Sequence, residues 1–284
     1  MPRLPPGFRR PPSASRAAVR GRGPCRRRRK AGRRREPCRP ARPRGTGLES
    51  PPYHQDQQRG PMPWHYLIVA IPILLFSLTF HEAAHAFVAN RRGDDTARLA
   101  GRLTLNPLPH IDPIGTVILP LVLIITGAGF IIGAAKPVPV DARNLYDPRR
   151  DMLAVALSGP ASNFLLAAGF FVLLQLAYMA GLDPLAFNHT TFQLELGVAG
   201  FLSAILKLGI LYNLILGGFN LLPIPPLDGS SVLFHFLPPK ASQFAARVGR
   251  YGFFIIIALL VTRALSPYFQ LFFGLFKFMA QPLF

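Results

Sequence analysis

Three side chains in the stretch "TFHEAAHAFVANRRG", residues 79–93, have the types and spacing of a metal-dependent hydrolytic site. In a helix, residues four apart share a face, so His81 and His85 point the same way and can hold one ion. Glu82 is offset by one residue, within reach of a water bound to that ion. Two imidazoles would then be ligands and the carboxylate a general base for hydrolysis. Catalytic zinc usually takes three protein ligands and one water. Cys25 and Cys38 are the only cysteines and lie far from this stretch in sequence, so the third ligand is expected to be His or a carboxylate. The string is short and arises by chance in unrelated helices. Here it stands near the end of an apolar run, where unpaired ionisable groups cost roughly several kcal/mol, and that setting argues against chance.

The elements that must position these groups are long apolar runs at 64–90, 114–135, 152–180, 197–222 and, shorter, 251–262. A spanning helix needs roughly 20 apolar residues. The pattern predicts an all-α polytopic membrane protein with about four to six membrane helices. Lys207 in the fourth run is expected to snorkel or to face protein. The last segment, "YFQLFFGLFKFMAQPLF", is interrupted by Lys277 and would either span or lie in the interface. The loops after runs one, two and four are basic, whereas the loop after run three, "GLDPLAFNHTTFQLE", has no Lys or Arg. Basic loops stay cytoplasmic. Two consecutive basic loops require that 114–135 enter and leave from the same side, as a re-entrant element. Pro113, Pro120, Gly127, Gly129 and Gly133 suit such a shape, and the alternative is a full crossing that violates the charge rule. The metal-site end of run one then faces the cytoplasm. The segment "TARLAGRLTLNPLPHIDPIGT" reads as a short β-hairpin at the membrane surface.

The net charge of +19 could indicate nucleic acid, but its distribution says otherwise. Residues 1–50 hold 17 of the 32 Lys and Arg and 2 of the 13 Asp and Glu, a net +15; the other 234 residues hold 15 and 11, a net +4. Residues 1–61 therefore read as a disordered Arg- and Pro-rich tail, and 62–284 as the membrane domain, for which no nucleic-acid partner is expected. The tail is either an electrostatic arm for anionic lipid or nucleic acid, or sequence upstream of a start at Met62.

For the third ligand, the extension with a further Gly and His fails, because Val88 and Arg91 stand at those positions. Glu195 falls in the loop expected on the outer side. The best remaining carboxylate is Asp228, in "GGFNLLPIPPLDGSS" after run four, on the side expected for His81 and His85. Asp228 could instead cap a short helix. His110 and Asp112 are weaker candidates, with His110 read as a surface residue. His54, His65, His189 and His235 stand in no constellation.

HEAAH in a first membrane run, "SGPASN" opening a later one and "NLLPIPPLDG" after the next resemble the site-2 protease family of intramembrane zinc metalloproteases, over about residues 64–240. "NPLPHIDPIGT" and "AKPVPVDARNL" resemble its compact prokaryotic branch, which has no PDZ or CBS domain. The resemblance implies one zinc ion per chain, with His81, His85 and Asp228 as ligands and Glu82 as base. It also implies substrate or oxyanion contacts for Asn163 and Asn220, for which ordinary interhelical hydrogen bonding is the alternative. Gly159 and Pro160 would serve close packing and the start of the helix. Pro223, Pro225 and Pro226 would hold an extended segment that presents carbonyls to a substrate strand.

The expected activity is hydrolysis of a peptide bond in or beside a transmembrane segment of a membrane-protein substrate, as in regulated intramembrane proteolysis. The implied location is the plasma or inner membrane, with the active site toward the cytoplasm. Two other classes remain. A membrane metal carrier would keep its activity in Glu82→Gln, and a silent zinc-binding scaffold would bind zinc and cleave nothing.

Overall fold

The computed structural model describes residues 64–125, 133–183, 186–188, 193–194 and 197–283. The basic tail, Met62, residues 126–132, His189 and Glu195 lie outside the described residues. Helix α1, Trp64–Arg91, has 28 residues and is about 42 Å long at 1.5 Å per residue, more than the roughly 30 Å hydrocarbon core. Helices α4, Pro148–Met179, and α5, Val198–Asn220, are the other two described helices long and apolar enough to cross a membrane. Asp147 caps α4 by accepting from the Arg150 amide, and Pro148 occupies the first turn, where a missing N–H does no harm.

Helices α1 and α4 both pack against α5. Tyr66, Ile73 and Leu74 of α1 form one cluster with Leu208, Tyr212 and Leu216 of α5. Ala167 and Leu174 of α4 form a second cluster with Ile210 and Leu214 of α5. The end of α1 meets the start of α4 through Arg92 and the buried Asp151, 2.9 Å apart, so these helices run antiparallel. Helices α4 and α5 are antiparallel too: Gly217 lies against Phe164, and Gly209 against Phe170. In the loop between them, Phe187–Asn188 (β1) and Gln193–Leu194 (β2) form a two-residue antiparallel ladder. Lys207 donates to the Phe187 carbonyl at 3.0 Å and faces protein.

One expectation is corrected here. Residues 96–112 hold no strand: Thr96–Leu99 (α2) is a helical turn and Leu108–His110 a 3₁₀ turn. Pro107, Pro109 and Pro113 remove the amide donors that a strand ladder would need. Among the described residues three helices are long and apolar enough to cross a membrane, or four if the bent pair α7, Pro239–Gly249, and α8, Gly252–Val261, counts as one. The pair bends by 67°, and α8 alone is only about 15 Å long. Helix α9, Ser266–Met279, is about 21 Å long and lies along α4 and α5. Tyr268 donates to the Gly218 carbonyl at 2.8 Å near one end, and Gln175 and Tyr178 hold the carbonyls of Gln281 and Ala280 at the other.

The 114–135 element is described at both ends. It opens with a π-helical turn, Pro113–Ile118, then α3, Leu119–Ile125. Asp112 accepts from the Ile114 and Gly115 amides and so starts this turn. The Ala134 amide donates to the Gly115 carbonyl at 3.0 Å, and the Lys136 amide to the His110 carbonyl at 2.8 Å. The element therefore returns to the place where it began. From Gly133 to Val140 the backbone is without helix or turn, and it runs on past α1.

Candidate metal centre

His81 and His85 sit on one face of α1, and Asp228 is the first residue of α6, Asp228–Phe236. The two Nε2 atoms are 3.1 Å apart, and Asp228 Oδ2 lies 3.1 Å from His81 Nε2 and 3.4 Å from His85 Nε2. Ligands about 2.05 Å from a tetrahedral zinc ion stand about 3.3 Å from one another, so this triangle has the size of one face of such a site. Asp228 Oδ2 is buried and accepts no hydrogen bond. Leu227 is the N-cap of α6 and Asp228 makes no cap bond, so the helix-cap alternative does not describe this side chain.

The surroundings fix the protons. His81 Nδ1 is 2.7 Å from Asn163 Oδ1, and His85 Nδ1 is 2.7 Å from the Val155 carbonyl oxygen. Asn163 Nδ2 donates to the Ser77 carbonyl at 3.3 Å and to Asn213 Oδ1 at 2.9 Å. Asn213 Nδ2 in turn donates to Ser77 Oγ at 2.9 Å and to the Gly209 carbonyl at 2.8 Å. This chain of donors turns the Asn163 oxygen toward His81. Both imidazoles therefore carry their proton on Nδ1 and present bare Nε2 atoms to each other and to the carboxylate. With the rings neutral, three acceptors face one another, an arrangement that a bound cation satisfies. The residues fit zinc, with two imidazoles, one carboxylate and no thiol.

Gly159 closes the third side. A Cβ there would meet His85 Nε2 and would stand 2.5 Å from His81 Cε1 and 2.6 Å from His81 Nε2. Only a residue without a side chain lets α4 approach the ligand pair. SGPASN thus lies well inside α4 and does not open it, and its glycine serves close packing as expected.

A cavity of about 890 Å³ opens on this centre. Glu82 lines it, half-buried, and its Oε2 accepts from the Val138 amide at 2.9 Å. Asn220 lines it too, using one amide hydrogen on the Leu216 carbonyl at 3.0 Å. Asn163 does not: it is fully buried, with both hydrogens and its oxygen engaged behind His81. It offers no free donor to a substrate, a correction to the reading of Asn163 as a substrate or oxyanion contact. The 221–227 segment is also corrected. It folds into turns, with the Leu227 amide on the Ile224 carbonyl at 3.0 Å, and is not extended. The segment beside the cavity that is extended is the one through Ala135, Pro137 and Val138. His110 is buried, 2% exposed, with its Nε2 on the Thr104 carbonyl, and is no surface residue. His235 Nδ1 bonds the Arg149 carbonyl, and Arg149 the His235 carbonyl, a reciprocal pair that ties α6 to α4.

A His–Glu–x–x–His helix built into apolar helices, with a carboxylate closing the triangle, has the make-up of a membrane metalloprotease. The sequence profile of peptidase family M50 matches residues 69–262. The chain belongs to this family, the site-2 proteases. It is 42% identical over 197 residues to the proposed zinc metalloprotease YwhC of Bacillus subtilis (strain 168), covering 69% of this chain and 80% of that one. It is 36% identical over 213 residues to the proposed zinc metalloprotease Rip2 of Mycolicibacterium smegmatis, 74% of either chain. A shorter match, 38% over 79 residues, covers 28% of this chain and 31% of the proposed zinc metalloprotease MJ0611 of Methanocaldococcus jannaschii. No solved structure matches.

Proposed function

We infer that this chain is an intramembrane metalloendopeptidase that hydrolyses a peptide bond in or beside a membrane-spanning segment of another protein. The observation that carries this is the convergence of His81 Nε2, His85 Nε2 and Asp228 Oδ2 at 3.1 to 3.4 Å beside a carboxylate and an open cavity. His81 lies ten residues before Arg91, the end of α1, which is about 15 Å along the helix axis. That depth favours a substrate bond inside the bilayer or at its edge. His81, His85 and Asp228 would hold zinc, which when bound supplies a Lewis acid and lowers the pKa of water to about 7. Glu82 accepts the proton of the attacking water and returns it to the amine of the leaving segment. Asn220, which lines the cavity and spends one amide hydrogen on the Leu216 carbonyl, offers the other to the substrate carbonyl.

The meeting of residues 115 and 134 supports a re-entrant reading of 113–135. The basic loops that follow α1 and precede α4 then lie on one side, the cytoplasmic one, and the site opens toward it. Cleavage there releases the cytoplasmic part of the substrate, the outcome of regulated intramembrane proteolysis in a plasma or inner membrane.

The test uses full-length protein in detergent, wild type beside Glu82→Gln, with bound zinc and cleavage of a single-span membrane protein read in the same samples. Zinc in both and cleavage in wild type alone is the expected result. Cleavage by Glu82→Gln at the wild-type rate, or freshly purified wild type without metal, overturns the reading.

A further inference from the structure

The segment "GRLTLNPLPHID", 101–112, belongs to none of the roles above, yet it holds a buried cation. Arg92, Arg98, Arg143 and Arg150 each pair with an aspartate. Arg102 does not. It is 7% exposed, and its guanidinium goes to backbone: Nη1 to the Pro109 carbonyl, Nη2 to the carbonyls of Lys136 at 2.5 Å and Pro137 at 3.1 Å. A buried guanidinium is costly to desolvate, and its flat fork suits several acceptors fixed relative to one another.

Those carbonyls belong to two strands of chain that meet at the neck of the 113–135 element. One ends at His110, whose carbonyl takes the Lys136 amide at 2.8 Å. The other is "KPVPV", 136–140. Pro137 and Pro139 have no N–H, so a backbone ladder cannot set the register of this segment. Residues 136–139 have two amides only. Lys136 spends its amide on His110, and Val138 spends its own on Glu82 Oε2 at 2.9 Å. The clamp on the Lys136 and Pro137 carbonyls is therefore one bond removed from the hydrogen bond that holds the carboxylate.

We propose that Arg102 is a positioning residue for the reaction: by clamping the carbonyls of Pro109, Lys136 and Pro137 it sets the place of the Val138 amide, and through it the place of the Glu82 carboxylate beside the metal centre. This rests on the proteolytic reading above. Arg102 touches no reacting atom. Misplacing a catalytic group by about 1 Å can cost on the order of a hundredfold in rate, so the clamp has enough leverage to matter.

The test compares full-length wild type, Arg102→Gln, Arg102→Lys and, as a neighbouring charge-loss control, Arg98→Gln. Zinc content, thermal melting, kcat and KM on a single-span membrane substrate, and hydrogen exchange are read on the same preparations. Between Pro137 and Pro139 the only exchangeable amide is that of Val138, so exchange over that stretch reports the bond to Glu82 directly. Arg102→Gln is expected to keep its zinc, to speed Val138 exchange at least about tenfold, and to lower kcat roughly 10- to 100-fold with KM within about twofold. Arg102→Lys is expected to recover part of both effects, because one ammonium reaches some of the three carbonyls but cannot fork across them. Arg98→Gln should match wild type. Unchanged Val138 exchange in Arg102→Gln overturns the proposal, as does a fall in kcat that merely follows lost zinc or a lowered melting point. If Val138 exchange rises and no sample cleaves, wild type included, the proteolytic reading falls and the clamp stands.

Discussion

Replacing Gly159 by alanine tests the metal centre without touching a ligand. The new Cβ would lie 2.6 Å from His81 Nε2, where ordinary contact begins at 3.4 Å, so the ring must give way by about 0.8 Å. Metal ligands tolerate displacements of about 0.2 Å. Turning the rings aside also strains the 2.7 Å bonds that hold each Nδ1. Loss of a single outer partner of a ligand typically costs 10- to 100-fold in affinity, and here both ligands move. Gly159→Ala is therefore expected to weaken zinc binding at least about 100-fold, or about 2.7 kcal/mol. The helix responds in the opposite sense. Alanine inside a helix is favoured over glycine by roughly 0.5–1 kcal/mol, which offsets part of the strain on the two Nδ1 bonds, so the apo-protein should melt close to the wild-type temperature. Chelator competition measures the first quantity, and melting after metal removal the second. Wild-type zinc affinity in Gly159→Ala would refute the geometry. A large drop in apo stability would show that the glycine serves helix packing rather than the ligand pair.

Asn163→Ala is expected to lower zinc affinity about 10- to 100-fold, because His81 loses the acceptor that fixes its tautomer. An oxyanion role would instead lower kcat at unchanged affinity, and the same chelator titration separates the two. The α1–α2 turn supplies a pH test away from the metal. Burial raises the Asp94 carboxyl, but bonds from Thr96, Asn144 and the Asp141 amide outweigh this and hold it below the ordinary carboxylate value. A group with a lowered folded pKa contributes stability above its unfolded value near pH 4 and loses it as pH falls through the folded one. Protection of the Asp141 amide from exchange, corrected for intrinsic rate, should therefore fall below about pH 4 in wild type. In Asp94→Asn it should be weaker throughout and independent of pH, and a wild-type pH curve in that variant would rule Asp94 out.

Much of the site is legible in the sequence because two of its ligands share one helix. The four-residue spacing of His81 and His85 fixes their common face whatever else the chain does. Asp228 is harder, since nothing in its neighbours ties it to α1; it emerges only from the order of the apolar runs and from the resemblance carried by "NLLPIPPLDG". Asn163 shows where linear reasoning stops. An amide in an apolar helix announces a polar partner, but whether it faces the cavity or the back of an imidazole depends on how α4 is rotated. That rotation is set by Gly159, Asn213 and Ser77 together. The proline runs mislead in a related way. Missing amide donors predict extended backbone for 223–226, and the same loss of donors occurs at 137–139. Only the second is free of turns, with Arg102 on its Lys136 and Pro137 carbonyls and Glu82 on its Val138 amide. The first is compressed into turns under the α7–α8 corner, where a Cβ added to Gly249 would stand 2.7 Å from the Pro225 ring. The hairpin expected at 96–112 fails for the same loss of donors, and His110 is buried because the folded-back segment covers it.

The metal triangle has a further consequence, in the order of synthesis. His85 and Asp228 are 143 residues apart in the chain. At roughly 5–20 residues per second, the third ligand leaves the ribosome some 7 to 30 s after the second. Until then α1 and α4 can pair and hold two imidazoles, but the ion finds only two of its three protein ligands. Full metal affinity, and any peptide-bond hydrolysis that depends on it, begins only once α5 is made and α6 has docked on α4 through Arg149 and His235. The position of one aspartate in the sequence thus delays the complete metal centre until about four-fifths of the chain has been made.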